Sequence, residues 1–342
     1  MRLVRARVAP DHPAGGSARL NLAAHTHITN SYLNSFTIET MGIGHYIKDI
    51  GRGKDGARAL DRARAADLMG QILDQQVSDL ELGAFCIAMR IKGETPEEMA
   101  GFLDATHARL NKVHTGHTPT VVLPSYNGAR KLPVLTPLLA LLLAREGAAV
   151  VVHGAATEDK RVSSQAVFAH LGVNALDHVS PAVAGQVQFI PTGVLNAGLD
   201  RLLAVRRVVG LRNPGHSLVK LMNPCDPASG PALVVSSYTH PEYLLSMSAT
   251  FALTGQHALL LRGTEGEPVA DARRTPAMDV FKNGQTVRVQ DQREGSLVQV
   301  PELPTTDAAA TATYTEHVLQ GLLPVPEAIA LQVQHILREV SP

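Results

Sequence analysis

Between Thr120 and Ser164 the chain twice repeats one pattern: a short β-branched strand, a polar loop, then a helix. The first unit runs through the strand Thr120-Val121-Val122-Leu123, the loop from Pro124 to Lys131 and an apolar helix from Pro137 to Glu146. The second has the strand Ala149-Val150-Val151-Val152, the loop from His153 to Arg161 and a helix entered at Ser163 and Ser164. Strands that alternate with helices pair in parallel and are covered on both faces. Each loop leaves the carboxyl end of a strand and feeds a helix, which is where open α/β sheets hold ligands. A site is therefore expected on these two loops. A phosphate cradle needs several glycines, so that backbone N–H groups can approach an anion closely. The first loop has only Gly128, beside Tyr126, Arg130 and Lys131, which favours charge attraction and stacking over a tight nest.

The flanking segments extend the pattern. From His45 to about Val113 the periodicity is helical, with Leu60, Leu68, Met69, Ile72 and Leu73 on one stripe. Ser78-Asp79-Leu80-Glu81 and Thr95-Pro96-Glu97-Glu98 are capping boxes, so helices are expected from Asp79 to Ile91 and from Pro96. After the central stretch, strands are expected at Val187–Ile190, Leu233–Ser236, Ala258–Leu261 and Thr286–Gln290. Helices are expected at 195–210, 241–253, 314–322 and 326–340. The fold class is α/β: a small all-helical N-terminal domain, 41–115, followed by a larger α/β domain, 116–342, with a mostly parallel sheet. Residues 1–40 lack a sustained period and read as a flexible extension, with Met41 as the expected native start.

Composition removes several functions. Lys+Arg and Asp+Glu both number 31, so a nucleic-acid reading must rest on local clustering of charge. Cys86 and Cys225 make no disulfide framework or metal knuckle and read as reduced thiols of a cytoplasmic protein. The fifteen histidines show no His-Glu-x-x-His spacing. No run approaches the ~20 apolar residues of a membrane span, and Pro10-Asp11 interrupts the basic start before a secretory core forms.

Several segments together resemble the anthranilate phosphoribosyltransferase-like family, the glycosyl transferase family 3 fold. They are Leu80-Glu81-Leu82-Gly83, Met89-Arg90-Ile91-Lys92-Gly93-Glu94-Thr95, His153-Gly154, Val162-Ser163-Ser164, Leu171-Gly172-Val173 and Val209-Gly210-Leu211-Arg212. Ile50-Gly51-Arg52-Gly53-Lys54, the loop from Pro124 to Lys131 and His240-Pro241-Glu242-Tyr243 look like a divergent branch typified by a bacterial DNA-binding protein. The likeness covers about residues 45–340. It implies a nucleoside phosphorylase/phosphoribosyltransferase-like architecture, with 200–224 contributing to the helical domain, a homodimer formed through the helical domains and a cleft between domains. It also implies a chain about one helix longer than one ending at Ser341-Pro342.

In the enzymes of that family, a Gly-Thr-Gly-Gly-Asp loop, a Lys-His-Gly-Asn-Arg loop and an acidic pair holding Mg²⁺ bind phosphoribosyl diphosphate. This sequence carries Ser125-Tyr126-Asn127-Gly128 at the first and Val152-His153-Gly154-Ala155 at the second, and Glu265 and Glu267 are split by Gly266. Arg206 matches the family's carboxylate-binding arginine. The substitutions count against transfer chemistry, which depends on positioning and charge stabilisation. Possible anion-binding residues are Asn127, Gly128, His153, Gly154, Ser163 and Ser164. Glu265 and Glu267 read either as caps of the following turn or as a residual Mg²⁺ site.

What remains is cationic. From Asp200 to Lys220, Arg201, Arg206, Arg207, Arg212 and Lys220 face one acid, Asp200. They read either as a solvated face with Arg206 partly buried or as one groove along a phosphate backbone. In the second case they join Arg52, Lys54, Arg90, Lys92, Arg130, Lys131, Lys160 and Arg161. Tyr126 is either a packed residue or a stacking platform for an unpaired base. The favoured expectation is a non-specific binder of DNA or RNA that prefers single strands and takes no cofactor. The alternative is a glycosyl transferase with an altered acceptor, which would need Mg²⁺. A groove for an acidic protein partner is a third possibility.

Overall fold

The computed structural model describes residues 42–53, 55–294 and 301–341. The expected N-terminal extension, Met41 and Lys54 lie outside them. Residues 42–342 form one compact unit.

Among the described residues four helices come first: α1 Gly44–Ile50, α2 Arg62–Leu73, α3 Asp79–Lys92 and α4 Pro96–His107. Both expected capping boxes are formed, with the Ser78 and Thr95 hydroxyls accepting from the Glu81 and Glu98 N–H groups while those carboxylates return to the cap N–H. Glu98 does more than cap. Its carboxylate is fully buried, accepts the Leu60 N–H at 2.9 Å and is ion-paired with Lys92 Nζ at 2.6 Å. The α2 and α4 helices pack closely because Gly101 lets the Arg62–Ala66 backbone approach: a Cβ there would meet Arg62 O at 2.3 Å.

The α/β part follows as β1 Thr120–Ser125, α5 Thr136–Arg145, β2 Ala149–Gly154, α6 Ser164–His170, β3 Val187–Pro191, α7 Thr192–Leu195, α8 Ala197–Val209 and α9 Gly215–Leu221. It continues with β4 Ala232–Tyr238, α10 Pro241–Thr254, β5 Ala258–Arg262, β6 Met278–Lys282, β7 Gln285–Gln290, α11 Ala308–Leu319 and α12 Glu327–Val340. Seven strands form one sheet in the order β3-β2-β1-β4-β5-β6-β7. The first five are parallel, and β6 and β7 add an antiparallel edge. The sequence reading missed β6, which turns into β7 at Asn283-Gly284 with φ of 51° and 78°. Positive φ at both central residues is the hairpin geometry that Asn-Gly favours.

Side chains alternate across the sheet. Val122, Val151, Val234 and Leu260 face a core shared with the N-terminal helices and with Leu199, Leu202 and Leu203 of α8. Val121, Val150, Leu233 and Leu259 face the other way, onto α5 and α12. Because β1 leads to β2 and β3 on one side while β4 and β5 lie on the other, the strand order reverses between β1 and β4. That reversal opens a crevice outside their carboxyl ends.

Candidate anion site at the carboxyl edge of the sheet

The loop after β1 forms the nest that its single glycine had argued against. The N–H groups of Asn127 and Gly128 converge, but on the protein's own Glu267 carboxylate, at 2.7 and 2.8 Å to Oε1. Oε2 accepts from the hydroxyls of Ser125 and Thr136, the latter at 3.0 Å, and the Ser164 hydroxyl lies 2.7 Å from that of Ser125. Glu265 binds the next turn, accepting the Arg130 N–H at 2.6 Å and the Lys131 N–H at 3.0 Å. Gly266 makes this possible at a φ of 90°; a Cβ there would stand 1.8 Å from Asn127 Nδ2. Glu265 itself takes the left-handed φ of 53°, which is costly for a residue with a side chain. The two glutamates therefore reach across to the β1 loop rather than cap their own turn.

This arrangement corrects several expectations. Asn127, Gly128 and Ser164 do converge on an anion, but the anion is internal. Ser163 instead caps α6 by accepting the Ala166 N–H at 3.2 Å. Gly154 lets β2 lie against Ser125 O, and His153 is buried beneath Tyr126. Only about 10 Å³ of space remains among Ser125, Asn127, Thr157, Arg161 and Ser164, less than one water comfortably fills. A residual Mg²⁺ site does not fit either, because both carboxylates are already engaged by backbone and hydroxyl donors. Among the described residues no group of three His, Cys, Asp or Glu side chains is arranged to hold a metal.

Tyr126 is not a stacking platform. It is 4% exposed, and its hydroxyl lies 2.8 Å from His153 Nδ1 and 2.9 Å from Thr192 Oγ1. Burial pushes the His153 imidazole down to about 3, so this ring is neutral. Lys92 also leaves the groove, because its side chain is 8% exposed and tied to Glu98. Arg201 pairs with Asp79 at the start of α3, and Arg52 with Asp49 on α1.

Other cations do gather. Arg161 and Arg206 share Glu158 Oε2 at 2.9 and 3.0 Å, and Arg207 donates to Ala156 O at 2.9 Å, so α8 and Arg161 hold the β2 loop through three guanidinium contacts. These contacts keep the Glu158 carboxyl below its usual range despite the opposing effect of burial. Arg212 donates to Asn127 Oδ1 at 3.0 Å, tying the segment after α8 to the first loop. Arg130, Lys131, Lys160 and Arg207 stay exposed.

Beside Arg212 opens a cleft of about 530 Å³ between the turn joining α3 to α4, helix α9 and the end of β4. Arg90, Arg212 and Lys220 line it. So do His216, His240 and Tyr243, which sequence reasoning had given no role. The signal for His240 and Tyr243 was the strand-to-helix step at His240-Pro241, which places the residues after β4 in the crevice; His216, on α9, had none. A second hollow of about 480 Å³ adjoins it at Thr239 and carries Arg262, Arg273, Arg274 and Arg293, also unforeseen. Burial lowers the Lys220 amine to about 8, with Arg212 adding to the shift. Burial also takes His216 down to about 3.

Residues 45–109 match the helical bundle domain of the glycosyl transferase family. The chain is 40% identical to uncharacterized protein YbiB of Escherichia coli (strain K12), over 84% of this chain and 91% of the relative. It is 30% identical to the anthranilate phosphoribosyltransferase of Anaeromyxobacter dehalogenans (strain 2CP-C), over 82% and 83%. Among solved structures it is similar to anthranilate phosphoribosyltransferase from Thermus thermophilus, with a TM-score of 0.68, 20% identity and coverage of 86% of this chain and 88% of that one. Among the described residues no helix is long and apolar enough to cross a membrane.

Proposed function

The chain belongs to the anthranilate phosphoribosyltransferase-like family, and on that premise we propose that it is a nucleic-acid-binding protein with little sequence preference on a scaffold that no longer transfers phosphoribosyl groups. One observation carries this reading: Glu267 fills the anion nest of the β1 loop, while cations of the same sheet edge point outward. A sugar diphosphate would have to displace a buried carboxylate held by two N–H groups and two hydroxyls. A phosphate backbone needs only the exposed Arg130, Lys131, Lys160 and Arg207, which supply charge without a pocket. The curated relatives called anthranilate phosphoribosyltransferase make transfer to an altered acceptor the alternative; the filled nest weighs against it.

A homodimer through the helical part accompanies this reading. Its support is an apolar row on α3, where Leu80, Ile87 and Ile91 share one face and are 83%, 37% and 66% exposed.

The experiment is an anisotropy titration of labelled DNA and RNA oligonucleotides at low and high salt, beside calorimetry with phosphoribosyl diphosphate and Mg²⁺. The expected result is salt-sensitive binding of oligonucleotides and no heat from the diphosphate. Absence of oligonucleotide binding at low salt, or Mg²⁺-dependent turnover of the diphosphate, would overturn the reading.

A further inference from the structure

We propose that the cleft beside β4 is a nucleotide site whose floor binds one phosphate and whose wall stacks one base. It opens at the carboxyl end of β4, one of the two strands between which the strand order turns back, and open α/β sheets receive ligands at such reversals. Its volume of about 530 Å³ falls within the roughly 300–1,000 Å³ of small-molecule sites.

Three nitrogen groups line the floor, and none is within ion-pairing distance of a carboxylate among the described residues. Arg212 has one N–H on Asn127 Oδ1. Lys220 gives N–H groups to the carbonyls of Gly266 and Ser237 at 2.9 and 3.4 Å, which leaves a third donor. His216 is 7% exposed, and its Nε2 is buried with no hydrogen-bond partner in the described structure. Its Nδ1 lies 3.3 Å from Asn213 N and 3.2 Å from Asn213 Oδ1. With Nδ1 accepting the Asn213 N–H the neutral ring carries its proton on Nε2; with Nδ1 donating to Oδ1, Nε2 is an acceptor. A buried ring nitrogen without a partner is rare in folded proteins, and a phosphate oxygen would select the first tautomer and satisfy it. Two cations and one neutral donor suit the charge and the several oxygens of one phosphate group.

The wall suits a base. Tyr243 is 37% exposed, with its ring centroid 6.4 Å from that of His240. Met89, Met99 and Met247 add a soft apolar surface. Such a surface accepts any base, because stacking is tolerant of sequence. Glu94 and Glu242 also line the cleft. These two acids outnumber the one further cation of the cleft, Arg90, so they disfavour a second phosphate and favour a monophosphate, and they offer acceptors to ribose hydroxyls or base amino groups.

A free nucleoside monophosphate and the terminal nucleotide of a strand present this same chemistry, and the inference rests on the nucleic-acid reading only for the second source. The test is calorimetry on the full chain with AMP, UMP, adenosine and inorganic phosphate, and with short single strands carrying or lacking a 5′-phosphate. The expected result is that AMP and UMP bind more tightly than adenosine or phosphate alone. Lys220→Met and Tyr243→Ala each weaken that binding about tenfold or more. Tyr243 is partly exposed, so its variant reports even if Lys220→Met does not fold. Preference for a 5′-phosphorylated strand, lost in the same variants, would assign the site to strand ends and support the proposal equally. No advantage from the phosphate in either arm, or binding untouched by Tyr243→Ala, overturns it. If unphosphorylated strands still bind in a salt-sensitive way, the cleft proposal fails alone; if only free nucleotides bind, the nucleic-acid reading fails instead.

Discussion

Among the described residues Glu267 is a buried carboxylate without an ion-pair partner, held by oriented N–H and O–H dipoles. Removing one side of such an arrangement leaves several donors unmet, at about 1–3 kcal/mol for each buried group. Glu267→Ala should therefore lower the melting temperature clearly in phosphate-free buffer. It should also turn the nest into an anion receptor, so that millimolar phosphate raises the variant's melting temperature by more than the parent protein's. Thermal melts of both with and without phosphate check this; a folded variant that responds no more than the parent would mean the nest is not an anion site. The buried histidines make a second prediction. His107 is lowered to about 4, and His153 and His216 to about 3, each mainly by burial. An unfolded histidine takes its proton near 6.5, so between that value and 3 to 4 the unfolded chain binds more protons and stability falls on acidification. Each group adds a slope of about 1.4 kcal/mol per pH unit in that window. Urea unfolding at pH 7, 6 and 5 should show the loss, and His216→Gln should reduce its slope by the contribution of one proton.

At the scale of elements, Lys92 separates structure from binding. It sits at the end of α3 and pairs across the following turn with Glu98, whose side chain is fully buried. Lys92→Met leaves that carboxylate without its cation, a change that costs about 3–5 kcal/mol in comparable buried pairs. Denaturant unfolding should register the loss while oligonucleotide affinity per folded molecule stays constant; weaker affinity would return Lys92 to the binding surface. The contrast also marks what the sequence made legible. The capping boxes at Ser78 and Thr95 are local spacings, and strands such as Ala149–Gly154 are runs of β-branched residues, so both could be read directly. β6 escaped because Met278-Asp279-Val280-Phe281 is short and mixed, although Asn283-Gly284 was the available hairpin signal. Arg130 and Lys131 could be placed at the sheet edge because strand-to-helix loops are exposed by construction. Tyr126 could not be placed, since His153 and Thr192 fix its direction from 27 and 66 residues away. Nor could Glu267, which meets Asn127 across 140 residues; no local pattern encodes such a pair.

For the molecule as a whole, equal numbers of acidic and basic residues mean that attraction to a polyanion must come from the few cations left outward at one edge. Arg161 and Arg206 share the single carboxylate of Glu158, which cancels one of their two charges, and Arg201 is committed to Asp79. On the β1 and β2 loops and the end of α8 four exposed residues remain: Arg130, Lys131, Lys160 and Arg207, with Asp159 only 3.6 Å from the last. Each phosphate neutralised on a single strand contributes about −0.7 to the slope of log K against log salt, so four contacts give a slope of about −3. Lys131→Glu and Arg207→Glu should each flatten that slope and weaken binding across all sequences, whereas Arg201→Glu should do neither. The apolar row on α3 sets the upper bound, because two copies joined there and tracking one strand would double the slope to about −6. Ile91→Asp, followed by light scattering, would then return both the mass and the slope to single-copy values. A slope unchanged by the edge reversals but reduced by Arg201→Glu would place the strand on the α3 and α8 face instead, and the sheet edge would lose its assignment.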